Sequence, residues 1–169
     1  MPVEVIVEEA RWQEAGLEAL AARAAGAALA HLGLDPDLWE IGLLACDDSR
    51  IAALNSGFRG KPAATNVLSW PAEDLAPDTP GAPPHPPEPG VEPCLGDIAI
   101  AWETCAREAA AAGRPLADHV SHLIVHAVLH LLGYDHIRDP DATLMETTET
   151  AILGKMGVPD PYTWHDGAS

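Results

Sequence analysis

Hydrophobic and polar positions alternate in four short stretches of the chain, a pattern that is typical of β-strands. In the last stretch Ile98, Ile100 and Trp102 occupy every second position, so their side chains are expected on one face of a sheet. The pattern therefore predicts about four strands, in the segments PVEVIVEE, LWEIGLLAC, TNVLSW and CLGDIAIAWE.

Helical periodicity fills the segments between these strands. A first helix is expected over residues 11–34, where leucine and alanine recur at spacings of three and four residues. Further helices are expected over residues 47–57, 104–112, 115–132 and 139–154. We therefore predict an α+β fold, with a small mixed sheet of about four strands packed with about five helices.

A proline-rich segment interrupts this pattern at about residues 71–93. It contains nine prolines and shows no hydrophobic period. We interpret it as an exposed loop of extended, polyproline-like chain that is inserted into the domain and has no core of its own. Residues 1–169 are accordingly expected to form a single domain.

Charge is distributed unevenly along the chain. The formal net charge of −17 argues against general affinity for nucleic acid, because lysine and arginine normally supply the contacts to phosphate. Residues 49–72 nevertheless contain no acid, and Arg50, Arg59 and Lys61 lie there. This locally basic segment is the place where a phosphate is most readily bound.

The start of the chain and the cysteines both indicate a cytoplasmic protein. The first ten residues, MPVEVIVEEA, lack the basic segment and the long apolar run of a secretory signal. Cys46, Cys94 and Cys105 are odd in number and form no C-x-x-C pair, so we expect neither a disulfide framework nor a zinc–thiolate site. No membrane association is expected.

Three histidines lie close together in the segment HAVLHLLGYDH. His126 and His130 are four residues apart on one helix face, and Gly133 allows a sharp turn that can bring His136 back towards them. Three neutral imidazoles leave a fourth tetrahedral position open, which is typical of a catalytic zinc site. Burying them without a shared partner costs about 1–3 kcal/mol each, so we expect one Zn²⁺ ion per chain.

Two interpretations remain open beside this one, namely that the histidines are ordinary core residues or that the ligands are His122, His126 and His130. The spacing H-x-x-x-H-x-x-G-x-x-H also matches metzincin zinc proteases, except that Ala127 occupies the position of their general-base glutamate. A peptidase without this glutamate would lose the group that activates the zinc-bound water. Asp135 either replaces that base or orients the neighbouring ligand.

The same segment closely resembles the H-G-x-L-H-L-x-G-Y-D-H signature of the YbeY family, which are bacterial zinc-dependent endoribonucleases. Ala127 is the one departure from that signature. The segments LNSGFRGKPAATNVLSWP, LGDIAIA and METTETAIL resemble further family segments in the same order. Asn66 and Trp70 differ mildly from the family, which often has Asp and Phe there.

The resemblance implies that His126, His130 and His136 bind zinc and that His126 and Arg59 serve the reaction. A guanidinium can also hold a phosphate by two hydrogen bonds, and Lys61 is a weaker candidate for substrate binding. The implied activity is single-strand-specific cleavage in 16S rRNA 3′-end maturation and ribosome quality control. The implied partners are ribosomal RNA, a small-subunit ribosomal protein and an Era-type GTPase.

Two other functions are compatible with the same zinc site. A metallopeptidase would use the same histidines on a protein substrate. A non-catalytic ribosome-assembly factor would use zinc only to stabilise its fold.

Overall fold

The computed structural model describes residues 3–59, 64–87 and 93–159, without the side chains of residues 56–59. The strands are β1 (Val3–Val7), β2 (Glu40–Cys46), β3 (Val67–Pro71) and β4 (Cys94–Ala101). The helices are α1 (Ala10–Glu14), α2 (Leu17–His31), α3 (Asp48–Arg59), α4 (Trp102–Ala112), α5 (Leu116–Leu131) and α6 (Asp139–Lys155).

The four strands form one mixed sheet in the order β1-β2-β4-β3. β1 and β4 both run parallel to β2, while β3 runs antiparallel to β4 and forms the sheet edge beside α5. This arrangement confirms the predicted α+β class and the small mixed sheet.

The described residues contain six helices, against the five or so that we expected, because the first predicted helix is divided in two. Gly16 lies between α1 and α2 with φ 73°, a left-handed conformation that glycine adopts at little cost. The direction of the chain changes there. Trp12 on the short α1 is thereby placed in the core, where it is fully buried.

One face of the sheet holds most of the core. α2 and α5 cover this face, and Leu29, Ile41, Ile100 and Ile124 are almost completely buried there. α5 contacts α2, α4, α6, β3 and β4, so it is enclosed on nearly every side. None of the described helices is both long and apolar enough to cross a membrane.

Apart from Pro71, which ends β3, the described part of the proline-rich segment has neither helix nor strand, but it is attached to the domain. Leu75 is 7% exposed and joins the main core. Gly81 N–H donates to Asp141 Oδ1 over 2.8 Å, and Arg138 Nη2 donates to the Pro77 carbonyl over 3.2 Å. The segment is therefore held against the start of α6 by these contacts, while most of its described residues are exposed.

Candidate metal centre

A cavity of about 630 Å³ opens between the edge strand β3, helix α5 and the turn that follows α5. α5 supplies three histidines to its wall because positions three and four apart share one helix face. The chain then turns at Gly133, whose φ is 101°. The lining residues are Asn66, Val67, Leu68, Ser69, His122, Leu123, His126, Ala127, His130, Asp135, His136 and Ile137.

Only glycine fits at the turn after α5. A Cβ atom on Gly133 would lie 2.6 Å from the carbonyl carbon of Leu75, closer than real Cβ atoms approach backbone. The proline-rich segment and the turn thus pack directly against each other. This contact fixes the path by which the chain returns to the cavity at Asp135 and His136.

The three histidines that the sequence singled out all line this cavity. The rings of His126 and His136 stack with their centroids 5.6 Å apart and an interplanar angle of 27°. His130 lies one helical turn beyond His126, and its Nδ1 donates to the Tyr134 carbonyl over 3.2 Å. The turn at Gly133 therefore brings His136 back over the helix, as expected.

Glu149 on α6 joins the centre from the core side. Its side chain has no exposed surface, and its two carboxylate oxygens accept from His122 Nε2 over 2.9 Å and from His126 Nδ1 over 2.6 Å. Ligand atoms of His122, His126 and Glu149 all lie within 4.8 Å of one another. This group could hold a metal ion.

Hydrogen bonding fixes which imidazole nitrogens remain available. A carboxylate and a carbonyl oxygen only accept, so Nδ1 of His126 and Nδ1 of His130 carry the proton. In a neutral ring the lone pair is then on Nε2, the form that binds metals. Burial lowers the pKa of His130, although Asp135 and the Tyr134 carbonyl act in the opposite direction, and this favours its neutral form.

Asp135 and Ala127 are the two residues that the sequence analysis compared with the general-base glutamate of metzincins. Asp135 lines the cavity, and its Oδ1 accepts the backbone N–H of His136 over 2.6 Å. It is thus placed both to orient the turn and to face the cavity. Ala127 is 1% exposed, so the position of the metzincin glutamate carries only a buried methyl group.

The two basic candidates are less well defined. Arg59 is the last residue of α3, and its side chain lies outside the described part of the structure. Lys61 falls in the undescribed residues 60–63. Their roles in binding and transition-state stabilisation therefore stay predictions.

The cysteines take no part in this centre. Cys46 and Cys105 are completely buried. Burial raises the pKa of Cys46 to about 12, and burial likewise raises the pKa of Cys105, so both remain protonated thiols. Both pack in the core.

Glu149 is the residue that sequence reasoning missed. A signal for it existed, because it occupies a position on the apolar stripe of α6 that contains Met145, Ile152 and Leu153. Acids are rarely fully buried unless they are paired. An acid at a predicted core position is therefore a sign of a buried polar network.

The fold and the cavity together define an α+β protein whose histidine and glutamate side chains can hold a metal ion. The family model described as Endoribonuclease YbeY matches residues 4–157, and the chain belongs to this family. The resemblance drawn from the HAVLHLLGYDH segment is thereby confirmed.

Named relatives match over nearly the whole chain. The Endoribonuclease YbeY of Ruegeria pomeroyi is 64% identical over 166 residues, which cover 96% of this chain and 99% of the relative. The Endoribonuclease YbeY of a Jannaschia species is 57% identical over 162 residues, which cover 96% of this chain and 100% of the relative. The solution structure of TM1509 from Thermotoga maritima has a TM-score of 0.54, 16% identity and 91% coverage of each chain, and it supports the fold alone.

Proposed function

We propose that this protein is a zinc-dependent endoribonuclease that cuts single-stranded RNA in 16S rRNA 3′-end maturation and in ribosome quality control. Membership of the endoribonuclease YbeY family carries the coarser statement, that the chain is a hydrolase acting on RNA. The metal dependence rests on one observation above all. His126 and His130 both use Nδ1 in hydrogen bonds and keep Nε2 for the cavity.

The proposed zinc ligands are His126, His130 and His136. The contacts of 2.6 and 2.9 Å from Glu149 to two imidazole nitrogens have the lengths of hydrogen bonds. Ligand atoms that share one zinc ion at bonds of about 2.0–2.1 Å lie more than about 3 Å apart. Glu149 therefore fits as an acceptor that orients His126, and it fits less well as a ligand beside it.

The donor set suits zinc. Imidazole is a borderline ligand that zinc accepts readily in tetrahedral sites, and three such groups leave one position for substrate or water. Zinc held there would supply Lewis-acid chemistry to the hydrolysis of a phosphodiester bond.

This chain's own residues would do the remaining work. The proposed role of Arg59 is to hold the phosphate while negative charge develops on it, with Lys61 adding to substrate binding. Asp135 lies in the cavity wall, where it can accept a proton or orient His136 through the backbone N–H that it already binds.

The net charge bears on how RNA reaches the site. A chain with a formal charge of −17 repels phosphates at long range, and the acid-free segment over residues 49–72 relieves this only locally. We infer that a small-subunit ribosomal protein and an Era-type GTPase help to deliver the RNA. We infer that this activity takes place in the cytoplasm.

The experiment measures zinc content and cleavage on the same preparations. Wild-type protein, His126→Ala and His85→Ala are incubated with labelled single-stranded RNA, duplex RNA and casein. His85 is an exposed histidine of the proline-rich segment and serves as the control. We expect the wild type and His85→Ala to bind zinc and cut single-stranded RNA, and His126→Ala to lose both properties.

Each rival function has its own outcome in this experiment. Casein digestion with intact RNA would indicate a metallopeptidase. Zinc binding that stabilises the fold without cleavage of any substrate would indicate an assembly factor. Equal RNA cleavage by wild type and His126→Ala would come from a contaminating nuclease and would refute the proposal.

A further inference from the structure

The outer edge of β3 forms part of the cavity wall. β3 is the last strand of the sheet, and residues 66–69 line the same cavity as His126 and His130. An edge strand pairs on one side only, so half of its backbone N–H and C=O groups point away from the sheet. The outward backbone groups of β3 point to the side of the strand on which the cavity lies.

The strand register identifies the outward groups. Ala101 N–H donates to the Asn66 carbonyl over 3.0 Å, and Ala72 N–H donates to the Leu95 carbonyl over 3.0 Å. Hydrogen-bonded positions alternate in an antiparallel ladder, so residues 66, 68, 70 and 72 face β4. Residues 67, 69 and 71 therefore direct their backbone groups outward.

Val67 supports this assignment independently. Its N–H donates to the side-chain Oδ1 of Asn66 over 2.7 Å and not to β4. The outward N–H of Val67 is thus already satisfied, and Pro71 has no N–H to offer.

Between Val67 and Ser69 the remaining outward groups are the N–H of Ser69 and the carbonyls of Val67 and Ser69. Within the described part of the chain no hydrogen bond to the Ser69 N–H is found. The edge therefore presents one donor between two acceptors. A ligand that forms hydrogen bonds with this donor and these acceptors must provide an N–H or O–H group as well as an acceptor.

This pattern distinguishes the base edges of an RNA chain from its phosphates. A phosphodiester has only acceptor oxygens, so it would leave both carbonyls unsatisfied and would repel them. A nucleobase edge offers donors and acceptors side by side, and single-stranded RNA is generally recognised on such edges. Backbone recognition of a base also needs no basic side chain, which agrees with the acidic character of the chain.

We propose that the outer edge of β3, from Val67 to Ser69, is a subsite for one nucleobase of the RNA substrate. This inference rests on the proposed function and adds a reason for strand selectivity. A base within a duplex has its Watson–Crick edge occupied, so it cannot bind the strand edge. The cavity of about 630 Å³ lies within the range of small-ligand sites, which is about 300–1,000 Å³.

The first test compares two substitutions at Ser69 in the zinc-loaded protein. Ser69→Pro removes the outward N–H, and proline is tolerated at such positions of edge strands. Ser69→Ala removes the hydroxyl group and keeps the N–H. We expect Ser69→Pro to raise KM for single-stranded RNA by about 3- to 10-fold, the effect of one hydrogen bond, with kcat and zinc content unchanged. Ser69→Ala measures the contribution of the hydroxyl group alone, so the KM of Ser69→Pro should lie above that of Ser69→Ala, and equal KM values for the two variants would overturn the proposal.

The second test uses the wild-type protein and does not depend on how Ser69→Pro folds. Amide hydrogen exchange is followed by NMR with a 2′-O-methyl oligonucleotide that the zinc-loaded protein binds without cutting. Exchange of the Ser69 amide should slow on binding, while the Leu68 amide, which faces β4, should not change.

The outcomes of this second test separate the two proposals. Binding of the oligonucleotide without protection of the Ser69 amide overturns the nucleobase subsite alone. Protection by an extended peptide and not by the oligonucleotide overturns it in favour of a peptidase. Failure of the wild type to bind or cut any RNA refutes the proposed function itself.

Discussion

Glu149 and His126 are joined by a 2.6 Å contact between a carboxylate oxygen with no exposed surface and the imidazole Nδ1. The contact links α6 to α5, which carries four of the eight histidines. An ionised carboxylate in this position fixes the ring orientation and the tautomer of His126, which presents Nε2 to the cavity. The ring of His126 is thereby oriented for a metal ion before the ion binds.

Glu149→Gln tests this orienting contact. A carboxylate can accept from two imidazoles at once, whereas the NH2 group of glutamine would meet one of the two ring N–H groups. We expect zinc affinity to fall by about 10- to 100-fold, measured by competition with a chelator. Glu146→Gln removes a half-buried carboxylate from the same helix and should bind zinc normally. Equal affinities for the two variants would contradict the orienting role.

The two possible ligand sets differ in His136 and His122. If His126, His130 and His136 hold the metal, His136→Ala should lose stoichiometric zinc while His122→Ala keeps it. Metal analysis after dialysis provides the measurement. The reverse pattern would assign the ion to a set that contains His122, either His122, His126 and His130 or the group formed by His122, His126 and Glu149.

Gly133→Ala is expected to destabilise the fold at the turn. The φ of 101° is unfavourable for a residue with a side chain, and the new methyl group would lie 2.6 Å from the Leu75 backbone. We expect the free energy of unfolding in urea to fall by about 2–4 kcal/mol. Gly154→Ala, on α6 with no atom within 4 Å of the added Cβ, is the control and should stabilise by about 0.5–1 kcal/mol. Similar losses in both variants would show that the contact with Leu75 is unimportant.

His119 should make stability depend on pH. Its ring is largely buried beside Glu108, and burial lowers its pKa below the usual 6.5 although the hydrogen bond to Glu108 acts in the opposite direction. The unfolded chain therefore binds more protons than the folded one just below that value, so stability falls as the pH drops through it.

The measurement is the free energy of unfolding in urea at several values between about pH 7.5 and 5.5. Wild-type protein should lose stability towards the acid end, and His119→Gln should show a shallower slope because the titrating ring is gone. His31 and His130, whose pKa values are also lowered by burial, are common to both proteins. Parallel curves would exclude His119 as a cause.

Local patterns in the sequence predicted much of the fold. Ile98 and Ile100 lie on one face of β4 because every second residue of a strand points the same way, and both are buried. Trp102, which the same alternation placed in the strand, instead begins α4. His126 and His130 share a helix face for the same kind of reason. The division of the first helix at Gly16 was less visible, since glycine inside a helical pattern can also be tolerated.

The proline-rich segment shows where local reasoning stops. Its composition correctly predicts a loop without regular structure, but its attachment depends on groups that are distant in sequence. Asp141 lies 60 residues after Gly81, whose N–H it accepts. No local pattern specifies such a partner.

The sequence by itself determined the elements, the apolar face of each and the three histidines placed around Gly133, because these depend on backbone geometry over a few residues. Only the tertiary structure decided that Glu149 binds His126, 23 residues away, and that Ser69 directs its N–H outward from a sheet edge. The physical reason is that a periodic pattern specifies which side of an element is buried, whereas the packing of distant elements specifies what that side contacts.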